Sequence, residues 1–184
     1  MGRALAVAAV CLLAAGSARA GPVPPVGDAG AEPCPPASRR AILLKLKPLD
    51  ESTVRRALDL ALAMLASPGC STVYSEFRLP DGRTPRHELE RMGIGPEELL
   101  ESLVFTDGSR EAVCRRGQAV MTATPGRALI YVCPGFAEFQ LRSARKSAAV
   151  IIHESLHALG LGENPPSSHD ITRRVERSCW KLAK

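Results

Sequence analysis

The residues best suited to chemistry are two histidines and a glutamate in the run Val150–His157, which reads VIIHESLH. His153 and His157 are four residues apart, so on a helix their imidazoles project from one face. Glu154 follows the first histidine, where its carboxylate can reach a water molecule beside a metal ion. Zinc accepts imidazole ligands and, with a carboxylate base nearby, supports hydrolysis. The motif therefore predicts a Zn²⁺ cofactor at His153 and His157, with Glu154 as the catalytic general base.

A catalytic zinc site has a third protein ligand, and the residues after the motif offer three candidates. Gly160 can end the helix in a left-handed turn and send the chain back toward the metal. Glu163, six residues after His157, is then the first choice for the third metal ligand. Asp170 is the second choice and His169 the third. Each carboxylate also has a simpler interpretation: Glu163 as a solvated loop acid, and Asp170 as an acid favoured by the dipole at a helix start.

Two groups of zinc peptidases resemble this segment. The pattern HExxHxxGxxE is similar to the extended signature of the metzincin-like peptidases, with Glu163 where those have His or, in some, Asp. No Met follows Met121, so the Met-containing turn of that family is missing. The run IYVCPGF at 130–136, followed by the HExxH helix, resembles the deuterolysin-type aspzincins. That resemblance implies an Asp as third ligand and nominates Asp170, in the run SSHD at 167–170.

The N-terminus predicts export. Residues 1–20 combine an early Arg3, an apolar run and a small-x-small triplet at 18–20, which is typical of a secretory signal peptide. Residues 21–37 carry six prolines without apolar periodicity and indicate a Pro-rich linker. No later segment reaches the roughly 20 apolar residues of a membrane helix. We therefore expect a secreted or periplasmic protein without a stable membrane anchor.

Cysteine usage agrees with an oxidising compartment. After removal of the leader, five cysteines remain, none in a CxxC pair, so disulfides are favoured over a zinc knuckle. Cys114 and Cys133 flank a predicted hairpin and form one candidate pair. Cys70 and Cys179 form the other and would tie early and late segments together. Four cysteines allow three pairings, and Cys34 in the linker is the odd thiol.

Composition predicts one globular domain, residues 38–184. Apolar residues make up 45% of the chain, enough for an ordinary core, while aromatic residues make up only 4%. The net charge is +5, and the basic residues are scattered rather than arranged in a stripe. A nucleic-acid partner is therefore not expected.

Apolar spacing and turn residues outline the elements. Leucines and alanines at helical spacing before Pro68 predict one helix, and alternating segments around a turn at 125–126 predict a β-hairpin at 119–133. The predicted elements are a helix at 50–66, an extended stretch at 73–79, helical pieces at 85–92 and 96–103, strands within 111–133 (at 119–124 and 128–132), a helix at 141–159 and a last helix from Ser167 or Ser168 to Trp180.

Together these features predict a small α+β, single-domain, zincin-like fold with an active-site helix and a short hairpin or sheet. The expected function is a secreted zinc-dependent endopeptidase acting on protein or peptide substrates, which pair with a strand beside the cleft. Two alternatives stay open: a non-catalytic zinc- or partner-binding protein on the same scaffold, and an amidase acting on cell-wall peptides. Tyr131 could stabilise an oxyanion, although packing is the commoner role of a strand tyrosine. His87 is expected to be exposed, and the oligomeric state is left open.

Overall fold

A computed structural model describes residues 41–180 of the chain. The predicted signal peptide at 1–20, the linker at 21–37 and Cys34 lie outside the described residues. The described part forms an α+β domain, as predicted. In chain order its elements are β1 (Ile42–Leu44), α1 (Pro48–Leu65), α2 (Pro68–Ser71), a 3-10 helix (Thr72–Ser75), α3 (Pro85–Met92), α4 (Pro96–Ser102), β2 (Val104–Asp107), α5 (Ala112–Arg115), β3 (Met121–Ala123), β4 (Leu129–Val132), α6 (Phe136–Arg142), α7 (Ala144–Ala158) and α8 (Ser168–Cys179).

Helix α1 packs against α7, which carries the HExxH motif. Pro48 begins α1, where its missing N–H costs nothing, and two acidic residues in the first turn suit the positive end of the helix dipole. The buried face consists of Thr53, Val54, Ala57, Leu58, Ala61, Met64 and Leu65. The helix predicted at 50–66 is confirmed, and it supplies much of the core behind the candidate site.

The sheet has four strands in the order β1-β2-β4-β3. Strands β1, β2 and β4 run parallel, and β3 runs antiparallel to β4 with Met121 opposite Val132. The predicted hairpin is therefore confirmed, with its turn closed by Gly126 at a φ of 75°. Strands β1 and β2 were not predicted, since runs of three or four residues carry little periodicity. The antiparallel strand β3 is left at one edge of the sheet.

Two segments predicted to be extended begin with a helical turn instead. The stretch predicted at 73–79 begins in the 3-10 helix, because Ser67 caps a preceding helical turn by accepting a hydrogen bond from the Cys70 N–H. Residues Val73 and Tyr74 are fully buried there. The strand region predicted from 111 starts only at Met121, since Ala112–Arg115 form a helical turn. In both places local hydrogen bonding outweighs the β-branched and aromatic content.

The helix predicted at 141–159 is wrong in its first part. Ser143 leaves the helical region, with φ −156° and ψ 88°, and separates α6 from α7. Its N–H still donates to the Phe139 carbonyl and ends α6. The last helix begins at Ser168 as predicted, and the Ser167 hydroxyl accepts a hydrogen bond from the Asp170 N–H at 3.1 Å.

Both predicted disulfides are confirmed. Cys70 pairs with Cys179 and joins α2 to the end of α8, while Cys114 pairs with Cys133 beside the hairpin. Such bonds are compatible with an extracytoplasmic location. Between residues 41 and 180, no single helix has the length and apolar character needed to cross a membrane, although the bent pair Pro48–Leu65 and Pro68–Ser75 passes on length and composition alone.

Candidate metal centre

The two motif histidines lie on the buried C-terminal half of α7. Every residue from 151 to 157 is buried, and the side chains of His153 and His157 are 5% and 6% exposed. Their rings face one another with centroids 4.9 Å apart, and the two Nε2 atoms are separated by 3.0 Å. The four-residue spacing therefore directs both Nε2 atoms toward one position where a metal ion could bind, as the sequence predicted.

Helix α7 is anchored in the core from within the motif. The Tyr74 hydroxyl and Ser155 Oγ are 2.7 Å apart, both in fully buried side chains, and the Ser155 hydroxyl also donates to the Ile152 carbonyl. Burial raises the pKa of Tyr74 above its ordinary value. This buried pair limits rotation of the helix about its axis, so the direction of the neighbouring histidines is held by the core.

The chain reverses directly after α7. Gly160 adopts a φ of 101°, its N–H donates to the His157 carbonyl at 2.8 Å, and the Leu161 N–H donates to the Leu156 carbonyl at 3.1 Å. These two bonds are the paired closure of a Schellman motif, which needs a left-handed residue that glycine adopts at little cost. The left-handed turn predicted at Gly160 is thus confirmed, and it directs the following loop back over the motif.

The reversed chain brings Glu163 to the histidines. Glu163 Oε1 lies 3.4 Å from His157 Nε2 and 3.9 Å from His153 Nε2. Ligand atoms bound about 2.1 Å from a tetrahedral zinc stand about 3.4 Å apart, a value within the range of the three observed separations. His153, His157 and Glu163 therefore form a group that could hold a metal ion.

Hydrogen bonds set the direction of both imidazoles. His157 Nδ1 lies 2.6 Å from the Leu161 carbonyl oxygen, which can only accept, so Nδ1 carries the proton and Nε2 has a free lone pair. His153 Nδ1 lies 2.9 Å from Thr172 Oγ1 on α8. With the hydroxyl accepting, His153 also presents an unprotonated Nε2 to the metal. The sequence reasoning missed Thr172, because nothing in the sequence relates a threonine to a histidine 19 residues earlier.

Burial keeps the imidazole of His153 in its ligating form. It lowers the pKa of His153 to about 3, and repulsion from His157 acts in the same direction. A neutral ring is the form that binds metal, because a protonated ring has no free lone pair. The surroundings of His153 therefore favour a metal ligand over a cation.

Glu154 has an unsatisfied buried carboxylate. Its residue is 6% exposed, and Oε2 has no hydrogen-bond partner among the residues that the structure describes. Burial, followed by the charge of Glu163, raises its pKa to about 8, while a hydrogen bond from the Ala123 backbone N–H opposes the shift. An unpartnered buried polar atom is costly and rare, so it calls for a functional explanation. Here the carboxylate borders a cavity whose wall also includes His157 and Glu163, two of the candidate metal ligands.

That cavity, of about 470 Å³, lies between α7 and the hairpin. Its wall includes Glu154, His157 and Glu163 on one side and β3 on the other. The hairpin is fastened to α7 at its turn, where the Gly126 N–H donates to the His157 carbonyl at 2.9 Å. Two of the candidate metal ligands, the Glu154 carboxylate and the edge strand of the sheet therefore line one cavity.

The other ligand candidates lie outside the metal group. Asp170 sits in the first turn of α8, where its carboxylate accepts hydrogen bonds from the Ser167 hydroxyl at 2.8 Å and from Arg173 at 2.7 Å. These contacts lower its pKa, with the Ser167 bond as the larger cause. The neighbouring His169 is exposed. These contacts agree with the simpler interpretation of Asp170, that of an acid stabilised at the start of a helix.

Tyr131 and His87 take no part in this arrangement. Tyr131 pairs with Thr122 and Thr106 within the sheet, and it is absent from the wall of the cavity beside the metal group. His87 is exposed on α3, as expected.

Comparison with known proteins returns no relative for this chain: no protein-family model, no curated protein and no solved structure matches it. The resemblance to HExxH peptidases therefore stands on the motif and on the geometry of the site alone.

Proposed function

We propose that the chain is an exported zinc-dependent endopeptidase of the HExxH type, in which His153, His157 and Glu163 hold the metal. One observation carries the proposal: a buried carboxylate with an unpartnered oxygen, that of Glu154, shares a cavity with His157 and Glu163 of the possible metal-binding group. Two imidazoles and a carboxylate are a donor set that suits zinc, and three protein ligands leave a position for water or substrate. The disulfides Cys70–Cys179 and Cys114–Cys133 support export.

The residues have separate roles in this proposal. A bound zinc supplies a Lewis acid that polarises a carbonyl and lowers the pKa of water. Glu154 would accept a proton from the attacking water and pass it to the leaving amine. The Leu161 carbonyl and Thr172 keep the imidazoles directed at the metal.

The position of β3 supports a peptide substrate. As the edge strand, β3 has backbone groups that face away from β4 and do not pair within the sheet, apart from the Ala123 N–H, which donates to Glu154. The strand lines the cavity through Met121, Thr122 and Ala123. An extended peptide can add to such an edge through main-chain hydrogen bonds, with little demand on its side chains. This arrangement suits an endopeptidase.

The direct test compares purified wild-type protein with Glu154→Gln. We expect about one zinc per chain in both, and a loss of peptide hydrolysis of about 10²–10⁴-fold in the variant, since only proton transfer is removed. Glu138→Gln is a matched control, because that glutamate is 78% exposed on α6. Zinc content is measured by elemental analysis and cleavage by mass spectrometry of unstructured peptides.

Three outcomes would contradict the proposal. Unchanged hydrolysis in Glu154→Gln removes the general-base role. A zinc-loaded wild-type protein that cleaves no peptide is a non-catalytic zinc-binding protein. Cleavage restricted to cell-wall peptides identifies an amidase.

A further inference from the structure

A second cavity, of about 510 Å³, adjoins the candidate metal centre at Glu163 and has no residue of the hairpin in its wall. Glu163 lines both cavities, so the two meet at the proposed third ligand. The second cavity is bounded by residues 76–80, by the loop that follows Gly160 and by Arg174 of α8. Because Glu163 belongs to both walls, a peptide bound at the metal centre lies next to this second cavity.

The wall of the second cavity carries two arginines. Arg174 places its guanidinium 5.3 Å from the centre of the Phe77 ring and donates to the Glu76 carbonyl at 3.4 Å. Arg78 donates to the Gly82 carbonyl at 3.3 Å. Within residues 41–180, no carboxylate oxygen lies within 4.0 Å of either guanidinium.

Neighbouring arginines show the contrast. Arg173, beside Arg174 in sequence, is paired with Asp170 at 2.7 Å, and Arg91 on α3 is paired with Glu88 at 2.6 Å. Those pairs lie away from the cavity, whereas Arg78 and Arg174 line it without a carboxylate partner among the described residues. The same holds for Arg177 outside the cavity, so it is the position of the two arginines in the wall that matters. Each of the two guanidiniums donates a hydrogen bond to a backbone carbonyl, which does not neutralise its charge.

The acidic residues of the cavity do not cancel this charge. Glu76 accepts a hydrogen bond from the Ser178 hydroxyl at 2.9 Å, and its carboxylate lies beyond ion-pair distance of both arginines. Glu163 is directed at the histidines, and a bound metal would take up its charge. With the charge of Glu163 taken up by a metal, two arginines face one remaining carboxylate, Glu76, so the lining keeps a net positive charge.

The remaining wall is apolar. Phe77 and Leu79 are 4% and 7% exposed, and Pro80, Pro165 and Pro166 complete the lining. A ligand that suits these walls has a short apolar stem and a carboxylate at its end. In a peptide, that description fits an acidic side chain or the C-terminal carboxylate.

We propose that this cavity is a specificity subsite that recognises a carboxylate of the peptide substrate through Arg174 and Arg78. The proposal rests on the peptidase function proposed above and adds the substrate class: peptides with an acidic group on one side of the cleaved bond. The planar guanidinium is suited to binding a carboxylate with two parallel hydrogen bonds.

The test uses the zinc-loaded Glu154→Gln chain, which binds peptides without cleaving them. Fluorescence anisotropy measures dissociation constants for matched peptides that differ by a single Glu or Gln on either side of the bond cleaved by wild-type protein. We expect the Glu peptide to bind about tenfold more tightly, as for a charge-assisted hydrogen bond near the surface. A second pair, with a free or an amidated C-terminus, separates a side-chain carboxylate from a terminal one.

Arg174→Gln and Arg78→Gln, each in the Glu154→Gln background, should reduce this preference toward equality while zinc content stays unchanged. Arg177→Gln is the matched control, because Arg177 is exposed on the same helix and does not line the cavity. Thermal melting verifies that each variant is folded, and the two separate substitutions keep the test valid if one of them is not. Equal affinity for the members of both pairs overturns the subsite and leaves the peptidase intact. If no peptide binds to the Glu154→Gln chain and the wild-type protein cleaves none, both proposals are overturned.

Discussion

The two histidines and Glu163 reach the candidate metal centre from regions of opposite character. His153 and His157 are buried on a core helix, and a hydrogen bond at Nδ1 sets the direction of each ring. Glu163 belongs to the loop that follows Gly160, and its side chain is 41% exposed. The difference indicates two kinds of ligand. The two histidines of α7 are fixed in position by the core, whereas the carboxylate of Glu163 comes from a loop and has fewer contacts that fix it. Rigid elements place ligands more accurately than loops do.

The largest effect is expected for the two histidines of α7. His157→Ala should weaken zinc binding by more than about 100-fold, since even outer partners of metal ligands cost about 10–100-fold when removed. Affinity is measured by competition with a chelator of known strength. His87→Ala, an exposed histidine on α3, serves as the control and should bind zinc as the wild type does. Unchanged zinc affinity in His157→Ala would place the metal elsewhere in the chain.

The loop carboxylate should matter less. Glu163→Ala removes a ligand but leaves both imidazoles directed by their hydrogen bonds, so we expect a loss of zinc affinity of about 100-fold, at the upper end of the range for outer partners and smaller than the loss in His157→Ala. Asp170→Ala is the matched control and should keep wild-type affinity, because Asp170 is engaged with Ser167 and Arg173. The reverse pattern, with zinc lost only in Asp170→Ala, would make Asp170 the third ligand.

The smallest of the three effects is expected at Thr172, which supports a ligand from α8. Thr172→Val keeps the shape of the side chain and removes the hydroxyl beside His153 Nδ1, so zinc affinity should fall about tenfold. Thr172→Ser restores the hydroxyl and should restore most of the affinity. Equal losses in the two variants would show that Thr172 contributes packing rather than orientation of the imidazole.

Elements with strong local signals were predictable from the sequence. Helix α1 has apolar residues at helical spacing before Pro68, and the hairpin has two alternating segments around its Pro-Gly turn. The short parallel strands β1 and β2 lack such signals, because their pairing partners lie far away in the chain. The break at Ser143 was also missed, since one residue leaving the helical region changes little in the apolar pattern.

The candidate site divides in the same way. The relation of His153, Glu154 and His157 follows from helix geometry, because a four-residue spacing repeats nearly one full turn. The turn at Gly160 is equally local, since it needs only a residue free to adopt positive φ. Both parts of the site were therefore available from the sequence by itself.

Only the tertiary structure decided which carboxylate approaches the imidazoles. Glu163 and Asp170 have comparable chemistry, and the choice between them depends on the path of a loop and on partners such as Arg173. The contact of Thr172 with His153, and the meeting of two cavities at Glu163, likewise depend on how α8 packs against α7. Backbone geometry relates neighbouring residues directly, whereas residues far apart in the chain meet only when the whole core has packed.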